Sequence, residues 1–390
     1  MWRVAGELAS GALEIGPTRR ASVGTRVREE AAHVTVEDRA MADRLRRSRA
    51  ALTLVQPEPF NAEAPPQALA GDITPTNLHY VRCNFALPAH DGVLAIGGAV
   101  GNPMTLTLAD LHAMPAVEQA VTMECAGNGR LAQTPLPVGE PWGNYAVSTA
   151  RWTGVLLHQV LAQARPADGA VEVVFQGADH GRYHQYKDIG FARSLPCAYA
   201  ADPAAGILIA YEMNGEPLNP DHGAPFRMIV PRYYGVASVK WLKRIDVTTE
   251  PYAGEFQTRH YMYQWPGRPA EPVTLMRPRA QVTDPALHAK IPVGTYTVRG
   301  KAWSGTGPVT SVEVSLTGEG DWQRARLAPP AGPYQWQDWS FDWQATGAGR
   351  HTLRARATDV AGNTQPDVPV WNRLGYGNNA VEVIYVDVHE

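Results

Sequence analysis

The sequence predicts an α+β chain, a layer of mixed strands and short helices up to about Val247 followed by an immunoglobulin-like β-sandwich. At 390 residues the chain exceeds what one small core holds. Between Asn77 and Val247, strand-like runs alternate irregularly with short helical patterns, which excludes a doubly wound sheet. Past the proline-spotted stretch from Trp265 to Pro278 only short alternating runs occur, separated by Gly, Pro and Asn, with no helical period between them.

Residues 1–70 are expected to be an N-terminal extension, poorly ordered or wrapping. EEAAHVTVEDRAMADRLRRSRA is at best one charged helix, and Met41 is an alternative start. Residues 71–256 form the expected first domain. GVLAIGGAVGNPMTLTLADLHAM reads as two strands joined by a glycine turn and a short helix opening at Leu108 to Asp110. Gly97, Gly98 and Gly101 echo a dinucleotide loop, but Asn102-Pro103 would stop its helix at once. WTGVLLHQVLAQA has the spacing of an amphipathic helix, VEVVFQGAD that of a strand, and Asn214-Gly215 in ILIAYEMNGEPL marks a hairpin. Residues 257–278 are the expected linker and 279–390 the sandwich. Lacking a cysteine pair, the sandwich is expected to be filled by Trp303, Trp336, Trp339 and Trp343.

Bulk properties narrow the function. A net charge of −3 and a pI near 6.5 give no general attraction for nucleic acid or anionic lipid. Three cysteines, Cys83, Cys125 and Cys197, exclude a disulfide framework. Arg19-Arg20 is followed by no apolar stretch and no segment reaches membrane-spanning length, so the expected location is cytoplasmic. P-loop, HExxH, GxSxG and CxxCH strings are absent, as are flavin and nicotinamide motifs.

The chemistry concentrates in a few strings. VTMECAGNGR runs an apolar strand into a Gly-Asn-Gly turn and places Cys125 at the strand's end, on one face with Val121 and Met123. That thiol is either a small core residue or a ligand or nucleophile at the strand-to-loop junction. VRCNF sets Arg82 in an apolar run, and DHGAPFRMIVPRYYG surrounds a buried-looking strand with His222, Arg227 and Arg232; such arginines are paired internally or face an anion. PWGNYAVSTARW brings Trp142, Arg151 and Trp152 to a loop, as pocket lining or as packing. SVKWLKRI reads as a half-solvated strand. GADHGRYHQYKD gathers Asp179, His180, His184 and Asp188 without a zinc spacing and reads as a polar surface loop.

Five strings in order, ECAGNGR, AVSTARWTGV, LIAYEMNGEPLNPDHGAPFR, GVASVKWLKRI and WNRLGYGNNAVEV, resemble the molybdopterin-dependent sulfite oxidase family, in its haem-free bacterial type, from about residue 75 to 388. The resemblance implies a molybdopterin-binding domain followed by an Ig-like dimerisation domain, and a homodimer. It implies that Cys125 binds molybdenum, a soft thiolate suiting that metal. The positions matching the cofactor site are Tyr80, Val81, Arg82, Cys83, Asn84, Asp179, His222, Arg227, Ser238, Val239 and Lys240. Arg82, Arg130 and Trp142 fall on the oxyanion pocket, with Arg373 a contribution from the sandwich.

The implied activity is oxidation of sulfite to sulfate, with electrons passed to a separate acceptor such as a cytochrome. The same cofactor also serves reduction of an S-oxide or another oxyanion. A non-catalytic binding or adhesion protein built on the sandwich, and a cysteine hydrolase using Cys125, are the readings from other classes. Residues 1–70 hold only His33, so no haem is expected there, and no flavin. Two departures are noted. Phe191 in FARSLP stands where the resemblance leads one to expect a tyrosine hydroxyl, and Asn84 stands where a histidine is usual.

Overall fold

The structure, a computed structural model, describes residues 36–318 and 320–390. Arg19, Arg20 and His33 lie outside the described residues. Residues Ala42–Glu390 form one compact unit. Helix α1 (Val36–Ala50) carries the charged stretch expected to be helical.

Two five-stranded sheets build the first half of that unit. One runs β4 (Met104–Thr107), β3 (Val93–Gly98), β12 (Leu242–Thr248), β7 (Glu172–Tyr183) and β8 (Tyr186–Pro196), all antiparallel except β3 with β12. The other runs β10 (Glu216–Pro217), β9 (Leu208–Met213), β6 (Val147–Leu156) and β5 (Ala116–Glu124), with β11 (Arg227–Ile229) also on β9. The glycine turn after β3 gives an antiparallel β3–β4 hairpin, as its Asn-Pro stop requires. Thr107 then caps α2 (Leu108–Ala113) in a capping box with Asp110. Asn214 and Gly215, at φ 54° and 80°, turn β9 into β10.

Four expectations change. The stretch read as one helix is split: Trp152 to Leu156 belong to β6, and only Leu157–Ala164 form α3. Val, Trp and Thr at its start favour extended backbone, and pairing with β5 and β9 decides the matter. GADHGRYHQYKD is not a surface loop but the far part of the β7–β8 hairpin, with Asp179 buried. In SVKWLKRI only the part from Leu242 on is strand: Ser238 to Trp241 precede β12, which is half-solvated as expected, with Lys243 and Arg244 exposed, and lies between β3 and β7. Finally, the later part of the N-terminal extension holds regular strands. β1 (Thr53–Gln56) and β2 (Asn61–Glu63) form a hairpin whose Asn61, Ala62 and Glu63 are buried, and Ala62 bridges to Val81.

After α4 (Cys197–Ala200) and α5 (Glu255–Thr258), the stretch expected to link the halves carries a small hairpin, β13 (Met262–Tyr263) with β14 (Glu271–Pro272). The sandwich pairs β15 (Arg279–Asp284), β17 (Gly294–Trp303), β21 (Gln337–Ala345) and β20 (Arg326–Leu327) in one sheet. The other holds β16 (Lys290–Pro292), β23 (Val383–His389), β22 (Gly349–Asp359), β18 (Val309–Ser315) and β19 (Gln323–Arg324). Trp339 and Trp343 fill its core as expected. Trp303 and Trp336 do not: they face the first half and join the main core, because the sandwich is docked through that end.

Candidate active site

Cys125 directly follows β5, its N–H donating to Ala146 O at 2.8 Å. The next residues reverse at once, with Asn128 N–H donating back to Cys125 O at 2.9 Å and Gly129 at φ 77°. Gly127 is needed for space: a Cβ there would lie 2.7 Å from Arg130 Nη1 and 2.8 Å from Trp142 Cδ1. Cys125 shares its face with Val121 and Met123, as alternation requires, and is 6 % exposed. Burial pushes its thiol pKa up, against the pull of Arg82, the Gly127 N–H and Arg130.

A cleft opens at Cys125. Loops feeding both sheets of the first half supply its walls. Tyr80, Val81, Arg82, Cys83 and Asn84 come from the segment bridged to β2, and Asp179 and Phe191 from the β7–β8 hairpin. His222 and Arg227 flank the turn before β11, and Ser238 and Lys240 the turn after it. Ten of the eleven positions matched to the cofactor site, from segments up to 160 positions apart, therefore meet Cys125 and Phe191 on one cleft.

One end carries two cations, Arg227 and Lys240. Arg227 is buried, donates to His222 O at 3.0 Å and Ser238 O at 2.9 Å, and stacks over Trp152 at 5.0 Å. Lys240 Nζ donates to Asp221 O at 2.8 Å and reaches Cys83 Sγ at 3.1 Å. The Asp221 carboxylate is held by Arg49 at 2.7 and 2.9 Å, so it neutralises neither cation. Burial lowers Arg227 to about 10, and burial with Arg227 and Lys240 lowers His222 to about 3. Buried positive charge calls for an anion.

Deeper along the cleft, Asp179 is buried and its Oδ1 has no hydrogen-bond partner among the described residues. Burial raises its carboxyl to about 6 against the pull of Lys240. It is a buried acceptor with no donor among the described residues.

Around Cys125 a second polar group forms. Arg82 donates to Asn84 Oδ1 at 2.7 Å, to Asn61 Oδ1 at 3.3 Å and to Cys83 O, and pairs with Glu140 at 3.0 Å. Tyr261, absent from the sequence expectations, lines the cleft and donates its hydroxyl to Asn84 Oδ1 at 3.3 Å. The cleft therefore has a tyrosine hydroxyl, although Phe191 carries none. No periodicity marks Tyr261, which lies between two short elements at φ 55°. Glu140 is likewise a loop residue without a signal in spacing.

Four expected residues do not line the cleft. Arg130 is buried behind it, donating to Glu140 O at 2.6 Å and Leu374 O at 3.1 Å and stacking over Tyr376 at 5.3 Å. It acts there through its charge. Trp142 is fully buried in the cluster around Cys125, and Val239 in the main core. Arg373 is exposed; the sandwich contributes the Leu374 carbonyl and Tyr376 behind the cleft instead. Among the described residues no group of three or more His, Cys, Asp or Glu could hold a metal ion, so a metal at Cys125 would need donors from a cofactor.

Residues 85–256 match the family described as oxidoreductase molybdopterin binding domain, and residues 273–388 the Mo-co oxidoreductase dimerisation domain. The mitochondrial sulfite oxidase of Mus musculus is 36% identical over 363 residues, covering 87% of this chain and 66% of its own. The Gallus gallus sulfite oxidase is 36% identical, covering 82% and 74%. Inducible nitrate reductase [NADH] 2 of Glycine max is 34% identical, covering 86% and 42%. The chain thus spans just under two thirds of the mouse relative's length. Among solved structures, the sulfane dehydrogenase SoxCD from Paracoccus pantotrophus superposes with a TM-score of 0.75 at 26% identity, covering 94% of each chain.

Proposed function

This chain belongs to the sulfite oxidase family of molybdopterin-dependent oxidoreductases, and on that premise we propose that it oxidises sulfite to sulfate with a molybdenum–pterin group held in the cleft at Cys125. One observation supports the reading above the others. A thiol, an orphaned buried acceptor at Asp179 and the cations Arg227 and Lys240 line a single cleft. Those donor types fit a group that presents a soft metal, ring N–H donors and a phosphate.

When bound, that group supplies two-electron redox chemistry with oxygen-atom transfer. The chain supplies the rest. Cys125 gives the protein's thiolate, and Arg227 and Lys240 hold the phosphate, with Ser238 ordering their loop by accepting from Val230 N–H at 3.0 Å. Asp179 accepts from the pterin. Arg82 and the Tyr261 hydroxyl, both beside Cys125, bind and orient the oxyanion. Arg130 adds positive potential from behind, and Phe191, packed on Phe256 at 4.9 Å, gives a wall that excludes water. Electrons then leave to a separate acceptor of cytochrome type, and the 273–388 domain pairs two copies of the chain. No helix among the described residues is long and apolar enough to cross a membrane.

Metal and pterin analysis of protein purified from a cofactor-competent host, followed by a sulfite assay with ferricyanide as acceptor, tests the proposal. Cys125→Ser is expected to lose sulfite turnover. Wild-type protein without molybdenum or pterin would overturn the reading. A second reading, oxidation of a sulfane sulfur, is favoured by the 94% coverage of the sulfane dehydrogenase. Thiosulfate in the same assay separates the two, and nitrate with a reduced dye tests the reverse direction.

A further inference from the structure

One residue of the cleft has no part in the function above. His79 lies directly before the Tyr80 to Asn84 stretch, is 2 % exposed, and lines the cleft with Arg227 and Lys240. Its Nδ1 is 2.9 Å from Tyr80 O, so in the neutral ring Nδ1 carries the proton and Nε2 is a bare acceptor. No described residue hydrogen-bonds to that Nε2. The ring stacks on Tyr80 at 5.1 Å and meets His222 edge-on at 5.1 Å and Trp152 edge-on at 6.0 Å. Native interiors rarely leave such an atom alone.

The charges that bear on the His79 ring are cationic. Arg227 and Lys240 are cations, His222 is neutral, Tyr80 is a buried phenol, and Asp221 is committed to Arg49. Burial first, then His222, Arg227 and Lys240, keep the proton off the ring. A phosphate monoester brings up to two negative charges into the same space and reverses that potential.

We propose that His79 is a further ligand to the phosphate end of the cofactor, taking up one proton on Nε2 as the phosphate arrives and donating it to a phosphate oxygen. The inference rests on the reading of the cleft as the molybdopterin site. The proton comes from solvent, or from the phosphate when that group arrives as its monoanion. Nothing is oxidised or reduced. In the empty cleft His79 is neutral at pH 7, and with phosphate bound it is charged. Loading therefore consumes a proton, and affinity falls by up to about tenfold per unit as pH rises above the bound-state value of His79. The dependence flattens near about pH 6, where the phosphate itself begins to protonate.

Two measurements test this. In full-length protein with 15N-labelled histidine, His79 Nε2 is expected to be unprotonated in cofactor-free protein, made in a host lacking the pterin, and protonated in the holoprotein. Calorimetry of inorganic phosphate binding to the cofactor-free chain, in buffers of different ionisation heat at pH 7.5, is expected to show net proton uptake, less than one proton because part of the free phosphate is already the monoanion at that pH. That uptake should vanish in His79→Gln, and His79→Leu should bind phosphate roughly tenfold more weakly. An unchanged Nε2 signal, or equal proton uptake in wild type and His79→Gln, overturns the inference. If the wild-type holoprotein carries molybdenum and pterin and the Nε2 signal still does not change, the role of His79 alone falls. If it carries neither, the cofactor reading falls, and the phosphate titration still decides whether His79 takes a proton.

Discussion

Glu124 Oε1 lies 3.3 Å from Nη1 of Arg279, in a buried ion pair that joins the residue preceding Cys125 to the first strand of the sandwich. Trp303 Nε1–H donates to the other Glu124 oxygen at 2.9 Å, and Asn128 Nδ2 to the first at 2.8 Å. The thiol's backbone is thus anchored by the second half of the chain as well as by its own sheet. Arg279→Met strands a buried carboxylate and is expected to cost about 3–5 kcal/mol. Burial already raises the Glu124 carboxyl, and without its cation it protonates more readily, so the loss should be smaller at pH 5 than at pH 8. Urea titrations at both values check this, and Arg279→Met with Glu124→Gln should recover part of the loss. A loss that does not depend on pH would show that the charge is not its cause.

Tyr261→Phe removes the hydroxyl that reaches Asn84 Oδ1 while leaving the ring stacked on Tyr376 at 5.1 Å. Stability should fall by no more than about 1 kcal/mol, the size of one hydrogen bond. If the hydroxyl orients the oxyanion, kcat/KM for sulfite should fall about tenfold or more. Steady-state kinetics beside a thermal melt separate these effects; equal kinetics would remove Tyr261 from the site.

Much of this was readable in the sequence, and the residues that were not share a physical reason. Period-two alternation placed Cys125 beside Val121 and Met123, and the same period gave the sandwich its strands. Pattern failed where tertiary pairing outweighs local spacing, as when β6 takes Trp152 to Leu156 from a helical period. It also failed to divide the tryptophans, since Trp303 and Trp339 look alike until the docking of the halves separates them. Tyr261, Glu140 and His79 reach the cleft region from irregular backbone, where spacing carries no information about direction. The cofactor positions came from resemblance, and four of the residues it named, Arg130, Trp142, Val239 and Arg373, lie off the cleft lining, because a matched position does not fix exposure.

If Arg82 binds the oxyanion as proposed, Glu140 competes with the substrate for it. The two groups are 3.0 Å apart, and although burial works against the carboxylate, Arg82 and Arg130 hold its pKa below the usual range. Glu140→Gln removes the competing charge and keeps the shape. The expected result is a KM for sulfite lower by roughly three- to tenfold, with a stability loss of about 1–2 kcal/mol for the broken half-buried pair. A raised KM would mean that Glu140 orients Arg82 rather than occupying it.

Glu63, at the end of the β1–β2 hairpin, gives the chain a pH dependence of its own. It is buried, accepts from Tyr145 N–H at 3.4 Å, and a Cβ on Gly143 would lie 2.9 Å from its Oε2. Burial pushes its carboxyl up from 4.5 to about 7, against the backbone donors at Tyr145 and Gly143. A carboxyl raised on folding binds its proton more tightly in the native state. Its contribution to stability is therefore complete below about pH 4.5 and is lost as pH rises to about 7. Above that, the native state holds a buried carboxylate at a penalty of about 2–3 kcal/mol. Glu63→Gln cannot ionise, so it is expected to match wild type near pH 5 and to exceed it by about that amount at pH 8. Denaturant midpoints across this range check the claim. A constant offset between the two proteins would mean that Glu63 is already ionised in the folded chain at pH 5.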